Sequence, residues 1–284
     1  MSQRRVLSPA VNIGSWRKSL GKDGDVVKLV KLGGSVITDK SKLRTFRRAA
    51  CVRLAGELRA ADDQLLLVHG AGSFGHIEAK KHSLHQGHKN DSQLRHVAAV
   101  QRDVRELNLK VLGSLIDQGI RAVSVPPFAS SSFRNGEVTK FNPEPFSTQL
   151  ELGLTPVTFG DVVPDEAIGF SICSGDLMME SLARHFRPRL AVFCADVDGV
   201  YDKDPKRHRD AELIRVLDRD ALAHMRRPRP GNADVTGSIR GKLERMLAIS
   251  EHCEKCIIVN GNVPGRLGKA LRGLDVVCTR VVPG

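Results

Sequence analysis

Apolar positions along this chain fall into short continuous runs separated by longer stretches of helical period. Residues 26–32 (VVKLVKL), 65–68 (LLLV), 120–125, 155–159 (TPVTF) and 190–195 have the length and composition of buried strands, and each runs into glycine, proline or aspartate. Between them, residues 43–62 set Leu43, Phe46, Ala50, Leu54 and Leu58 on one helical face. Residues 91–118 repeat Leu94, Val97, Val104, Leu107, Val111 and Leu115 at helical spacing. Residues 161–172 alternate around Pro164-Asp165 as a hairpin would, and Asp176 opens a further helix, LMMESLARHF. Two more strands, at 256–261 and 276–282, flank a helix at 264–273. Strand, turn, helix, strand is the order of a parallel α/β sheet, which binds ligands at the carboxyl ends of its strands.

Two of the strand ends carry candidate chemistry. The run 65–68 leads into HGAGSFGH (69–76), where small residues let backbone N–H groups approach an anion and His76 adds a donor at the end. The run 26–32 leads into Gly33-Gly34-Ser35, with Lys31 just before the turn and Lys40 nine residues after Lys31. The strand at 190–195 ends in Asp196, Asp198 and Gly199, a setting for magnesium or the polar part of a nucleotide. Thr236-Gly237-Ser238 precede a helix with Lys242 in its first turns, a third place where N–H groups and a lysine converge. His82, His85 and His88, spaced by three in a glycine-containing stretch, do not share one helix face, and no nearby cysteine or carboxylate is read as completing a set, so a polar loop is expected there rather than a metal site. Phe128, Phe133, Phe141 and Phe146 lie in the loop expected after the 120–125 run and read as ordinary packing, with an apolar substrate tail as the other use.

Composition narrows the partners. The 284 residues hold 44 Lys+Arg against 32 Asp+Glu, a formal charge of +12, which suits polyanionic partners in general. One Trp and one Tyr, with no aromatic set among basic residues, argue against nucleic acid. No apolar run approaches the ~20 residues that span a bilayer, so no membrane association is expected. Six scattered cysteines in a chain able to build its own core point to a reducing, cytoplasmic setting, and the lone Cys253-Cys256 pair reads as incidental. Residues 1–25 are a basic extension and residues 26–284 one domain.

KLGGS (31–35), HGAGSFGH (69–76), GD (160–161), SGD (174–176), ADVDGVYDKDP (195–205) and DVTGSIRGK (234–242) resemble, in this order, the amino acid kinase superfamily over about residues 27–282. Within it the chain is most similar to the isopentenyl phosphate kinases, because a histidine ends the second glycine loop and a lysine follows the first. The resemblance implies a three-layer αβα sandwich around a mostly parallel sheet of about eight strands. It also implies an acceptor lobe at about 26–170 and an ATP lobe at about 171–284. The implied activity is ATP-dependent phosphorylation of isopentenyl phosphate to the diphosphate, with Mg²⁺, in a homodimer. The implied roles are these: Lys31, Gly33, Gly34 and Ser35, with Lys40, at the transferring phosphoryl; Ala71, Gly72, His76 and Gly160 at the acceptor phosphate; Asp196, Gly237 and Lys242 on the nucleotide; Asp176 orienting Lys31 and Lys242. The chain departs from the family pattern at Ala71, Leu177, Ala195 and Ser238-Ile239, and no catalytic carboxylate is placed at 177. A fosfomycin-type kinase, which shares the histidine, and a non-catalytic anion-binding protein on the same fold are the alternatives.

Overall fold

The computed structural model describes residues 27–61, 63–225 and 239–284. Eight strands form the central sheet: β1 (Lys28–Leu32), β2 (Leu65–His69), β3 (Ala122–Ser124), β4 (Thr155–Phe159), β5 (Leu190–Ala195), β6 (Val216–Leu217), β7 (Lys255–Asn260) and β8 (Cys278–Val281). Their order is β6-β8-β7-β5-β1-β2-β4-β3, and every neighbouring pair is parallel except β7 with β8. The helices that matter below are α1 (Gly34–Ile37), α2 (Arg48–Arg59), α3 (Gly72–Lys81), α4 (Leu94–Ile116), α5 (Gly175–Phe186), α6 (Ile239–Ser250) and α7 (Arg266–Leu271).

Strand alternation divides the core into two layers. Leu29, Leu66, Ala191 and Phe193 face Met178 and Leu182 of α5 and Leu243 and Leu247 of α6. Val30, Leu67 and Val192 face the other way, onto Leu54 of α2, Leu107 of α4 and Leu267 of α7. Helices thus cover both faces of a mostly parallel sheet, which is why its central strands are apolar on both sides. The αβα sandwich is the one anticipated. β1 lies at its middle, with β2, β4 and β3 from the earlier part of the chain on one side and β5, β7, β8 and β6 on the other.

Two local expectations are corrected. The helix expected over 43–62 begins only at Arg48, because Asp39 N–H donates to Thr45 O and Thr38 bridges Phe46; Leu43 is left exposed. The stretch after β3 is not one loop: it holds a hairpin of Ser131–Arg134 with Glu137–Phe141 and a helix at Glu144–Glu151. Its phenylalanines divide, with Phe133 and Phe146 buried and Phe128 exposed. The two-residue β6 had no counterpart in the sequence reading. The hairpin expected at 161–172 is present as Asp161–Asp165 paired with Gly169–Cys173. The basic extension at 1–25 lies outside the described residues.

Candidate active site

The carboxyl ends of the central strands are tied together by the residues that leave them. Gly33 N–H donates to Cys194 O (3.0 Å), Gly70 N–H to Leu32 O (3.0 Å), Gly160 N–H to His69 O (3.1 Å) and Gly261 N–H to Ala195 O (2.8 Å). Each turn is therefore anchored to the last carbonyls of its neighbour, and the turns share one rim. Two of them are in backbone contact. A Cβ on Gly34 would lie 2.6 Å from Gly72 N, and Gly72, at φ +50°, would place one 2.2 Å from Thr38 Oγ1. That hydroxyl in turn donates to Gly34 O (2.6 Å) and accepts from Ser73 N–H (3.0 Å). A Cβ on the buried Gly160 would meet Cys173 O at 3.3 Å and Ala71 N at 3.6 Å.

This changes the reading of the glycines. The second small-residue loop is only Gly70 and Ala71, since Gly72 to His76 already belong to α3. Packing of one turn on another is what first demands residues without side chains at 34 and 72. An anion over this rim would meet the first-turn N–H groups of α3, not an open glycine loop.

Charged side chains converge on the same rim. On β1, Lys31 shares the face of Leu29, yet its ammonium bonds Asp176 Oδ1 at 2.5 Å and lies 5.9 Å from the Phe193 ring centroid. Asp176 is held there by its place in the first turn of α5, which Ser174 caps by accepting from Leu177 N–H (3.2 Å). Burial pulls the Asp176 carboxyl upward, but Lys31, and behind it Lys242, hold it below its ordinary pKa. Lys242 stands in the first turns of α6. Lys40 is exposed just beyond α1, and its charge acts on both His76 and Asp196.

His76 is exposed toward these cations. Surrounding protein atoms, then the charges of Lys242, Lys40 and Lys31, push its imidazole down to about 4, with Asp176 acting the other way. Across the rim, Asp196 accepts from Ser35 Oγ (2.9 Å) and pairs with Lys206 Nζ (2.5 Å). Burial opposes its ionisation, and Lys206, Ser35 and Lys40 favour it, leaving its pKa lowered. Asp198 is turned aside, bonded to Asn260 Nδ2 (3.0 Å) and to the Arg266 guanidinium.

The structure thus brings Lys31, Gly33, Gly34, Ser35, Lys40, Ala71, Gly72, His76, Gly160, Asp176, Asp196 and Lys242 to one edge of the sheet. Gly237 lies outside the described residues. Ser35 spends its hydroxyl on Asp196. Lys206 was not singled out from sequence, and Ser174 was noted only as part of SGD, with no role of its own. The signal for Ser174 was legible, as a serine three residues ahead of an apolar helical run; that for Lys206 was not, in a segment already crowded with charges.

The model of the amino acid kinase family matches residues 27–260. The isopentenyl phosphate kinase of Thermoplasma acidophilum is 39% identical over 241 residues, covering 84% of this chain and 94% of that protein. That of Methanothermobacter thermautotrophicus is 36% identical, covering 89% of this chain and 98% of its own length. A solved isopentenyl phosphate kinase superposes with a TM-score of 0.78 at 33% identity, over 90% of this chain and all of the other. A match of this extent places the chain in the amino acid kinase family and, within it, among the isopentenyl phosphate kinases.

Proposed function

We propose that this chain transfers the γ-phosphoryl group of ATP to the phosphate of isopentenyl phosphate, forming isopentenyl diphosphate. The observation that carries the reading is the placement of His76 opposite Lys31, Lys40 and Lys242 on the rim between β1 and β2. The acceptor is a phosphate monoester whose second pKa is near ~6, so its oxygen is already an anionic nucleophile at neutral pH. Such a reaction asks for position and charge neutralisation, not for a strong base. A neutral His76 donates one N–H to the acceptor phosphate without needing to give up a proton. Together with Ala71, Gly72 and Gly160 it sets the attacking oxygen in line. Lys31 and Lys40, over Gly33 and Gly34, gather the negative charge of the transferring group, and Lys242 approaches it from the nucleotide side. Asp176 stays ionised between Lys31 and Lys242 and fixes both ammonium groups.

In this reading the chain up to about residue 170 holds the acceptor and the remainder holds ATP, with the nucleotide near Asp196 and Gly237. The carboxylates described on the rim are engaged by cations: Asp176 by Lys31, Asp196 by Lys206, and Asp198 by Arg266. That donor set suits a Mg²⁺ ion carried in on the ATP phosphates, where it would neutralise charge, better than an ion caged by protein. Among the described residues no helix is long and apolar enough to cross a membrane. The working form is taken to be a cytoplasmic homodimer, and Leu109 and Ile116, both exposed on α4, are the apolar surface in its favour. Light scattering in solution tests that assembly.

The activity is tested by incubating the full chain with Mg²⁺, ATP and, separately, isopentenyl phosphate, dimethylallyl phosphate, fosfomycin and UMP, then weighing the products. Isopentenyl diphosphate at a KM within the usual range of about 1 μM to 1 mM is the expected result. Turnover of fosfomycin with neither isoprenoid phosphate used would overturn the substrate while keeping the chemistry.

A further inference from the structure

Away from the rim, the structure overturns the expectation that the histidines after α3 have no carboxylate to complete a metal set. His82 does not gather with His85 and His88. It lies four residues after Glu78 on α3, with its Nε2 3.3 Å from Glu78 Oε2, and its ring stacks on that of His96 from the first turn of α4. The ring centroids are 3.3 Å apart and the planes within 10°. Glu78 and His82 share a helix face because they are one turn apart, whereas Glu78 follows His76 by two residues, about 200° around the helix. The group therefore faces away from the catalytic rim.

We propose that Glu78, His82 and His96 bind a transition-metal dication of the zinc type, pinning the end of α3 to the start of α4. Each offers one ligand atom, and these atoms lie within 4.8 Å of one another. Tetrahedral zinc with bonds of about 2.0–2.1 Å needs its ligands roughly 3.4 Å apart, so side-chain rotations of about an ångström close the set. His82 Nε2 is buried and, although it faces Glu78, makes no hydrogen bond. An unsatisfied, buried ring nitrogen aimed at a carboxylate is a costly arrangement for side chains alone, and a cation held between Glu78, His82 and His96 would satisfy it. Two imidazoles and one carboxylate leave a fourth position for water. Two nitrogen donors favour zinc, cobalt or nickel over magnesium, so the site is chemically separate from the Mg²⁺ of the ATP reaction. Two contacts oppose binding: the His82–His96 stack has to open, because a metal lies in the plane of each imidazole it binds, and the Nε–H of the exposed Arg95, which donates to His96 Nε2 at 3.1 Å, has to swing away, as a solvated side chain can. Lys81, also exposed, is the other cation beside His96.

The test uses the untagged full chain, stripped with chelator, dialysed and titrated with Co²⁺ while the visible spectrum is recorded. One equivalent giving the bands of a tetrahedral nitrogen–oxygen site, displaced by Zn²⁺ and not by excess Mg²⁺, is the expected result. His96→Ala and Glu78→Gln should each weaken Co²⁺ binding by more than about tenfold, the scale on which even outer partners of a metal matter. Zn²⁺ should raise the melting temperature of the unaltered chain and not that of His96→Ala, whose metal-free melting checks that it folds. Cys253→Ser, which removes the other soft ligand pair, should leave the titration unchanged. Absence of a Co²⁺ spectrum, binding that survives His96→Ala undiminished, or binding lost on Cys253→Ser would each overturn the assignment.

Discussion

Lys31 occupies a position that strand alternation assigns to the core, between Leu29 on its own face and Phe193 on the neighbouring strand. Only a countercharge makes this tolerable, and Asp176 supplies it from the first turn of α5. Replacing Asp176 by Asn leaves a buried ammonium uncompensated, so the variant should lose about 3–5 kcal/mol in urea unfolding. It should lose turnover as well, since Lys31 would be free to reorient. His76 is the opposite case. Its ring is exposed, and among the described residues it belongs to none of the buried apolar clusters. His76→Ala should therefore melt as the parent chain does while kcat/KM falls by about 10²-fold or more, the scale of removing one positioned donor. A variant that turns over isopentenyl phosphate at the parent rate would remove His76 from the mechanism.

At the scale of elements, the rim is built by turns that pack on one another, and glycines differ sharply in what they tolerate. Gly34→Ala would put a methyl 2.6 Å from Gly72 N, backbone against backbone, so both turns must shift. It should lower stability and activity together. Gly113, inside α4, meets nothing within 4 Å, and Gly113→Ala should raise stability by about 0.5–1 kcal/mol in the same assay. The same contrast explains what the sequence could show. Continuous apolar runs announced β1, β2, β4 and β5, and the turns after β1 and β2 drew attention to Lys31, Lys40 and His76, whereas Asp176 read only as the start of a helix until the family resemblance gave it a role. The start of α3 was not legible, because Gly72 to Gly75 look like a loop until the Thr38 hydroxyl and the Gly34 backbone are seen to require them. Leu43 and Phe46 fit a helical face on paper, but the bridge between Thr38 and Phe46 takes that backbone first. β6 is only two residues and is fixed by pairing with β8, a long-range partner that no local pattern contains.

Across the whole molecule, β1 is where the strand order turns, and two buried titratable groups stand on the side of β2 and β4. His69, at the end of β2, is fully buried against Phe159, with its ring nitrogens 3.2 Å from Gly70 O and Asn108 Oδ1. Burial pushes it down from 6.5 to about 4. Asp161 follows Gly160, and burial, against the pull of Arg105, pushes it up from 3.8 to about 7. Between pH 4 and 6.5 the unfolded chain holds a proton on His69 that the native chain does not, so this group makes stability rise with pH. Over nearly the same window the native chain holds a proton on Asp161 that the unfolded chain has released, which makes stability fall as pH rises. Each slope is about 1.4 kcal/mol per pH unit, and they oppose each other. The parent chain should therefore show little pH dependence of stability from these two groups. Asp161→Asn removes one side of the balance, and its stability should drop by about 3 kcal/mol as pH is lowered from 6.5 to 4, relative to the parent over the same range. Urea midpoints at half-unit pH intervals read the difference directly. Because the prediction concerns a slope, any fixed cost of losing the Arg105 contact subtracts out, and parallel curves for the two proteins would mean that Asp161 is ionised in the native state.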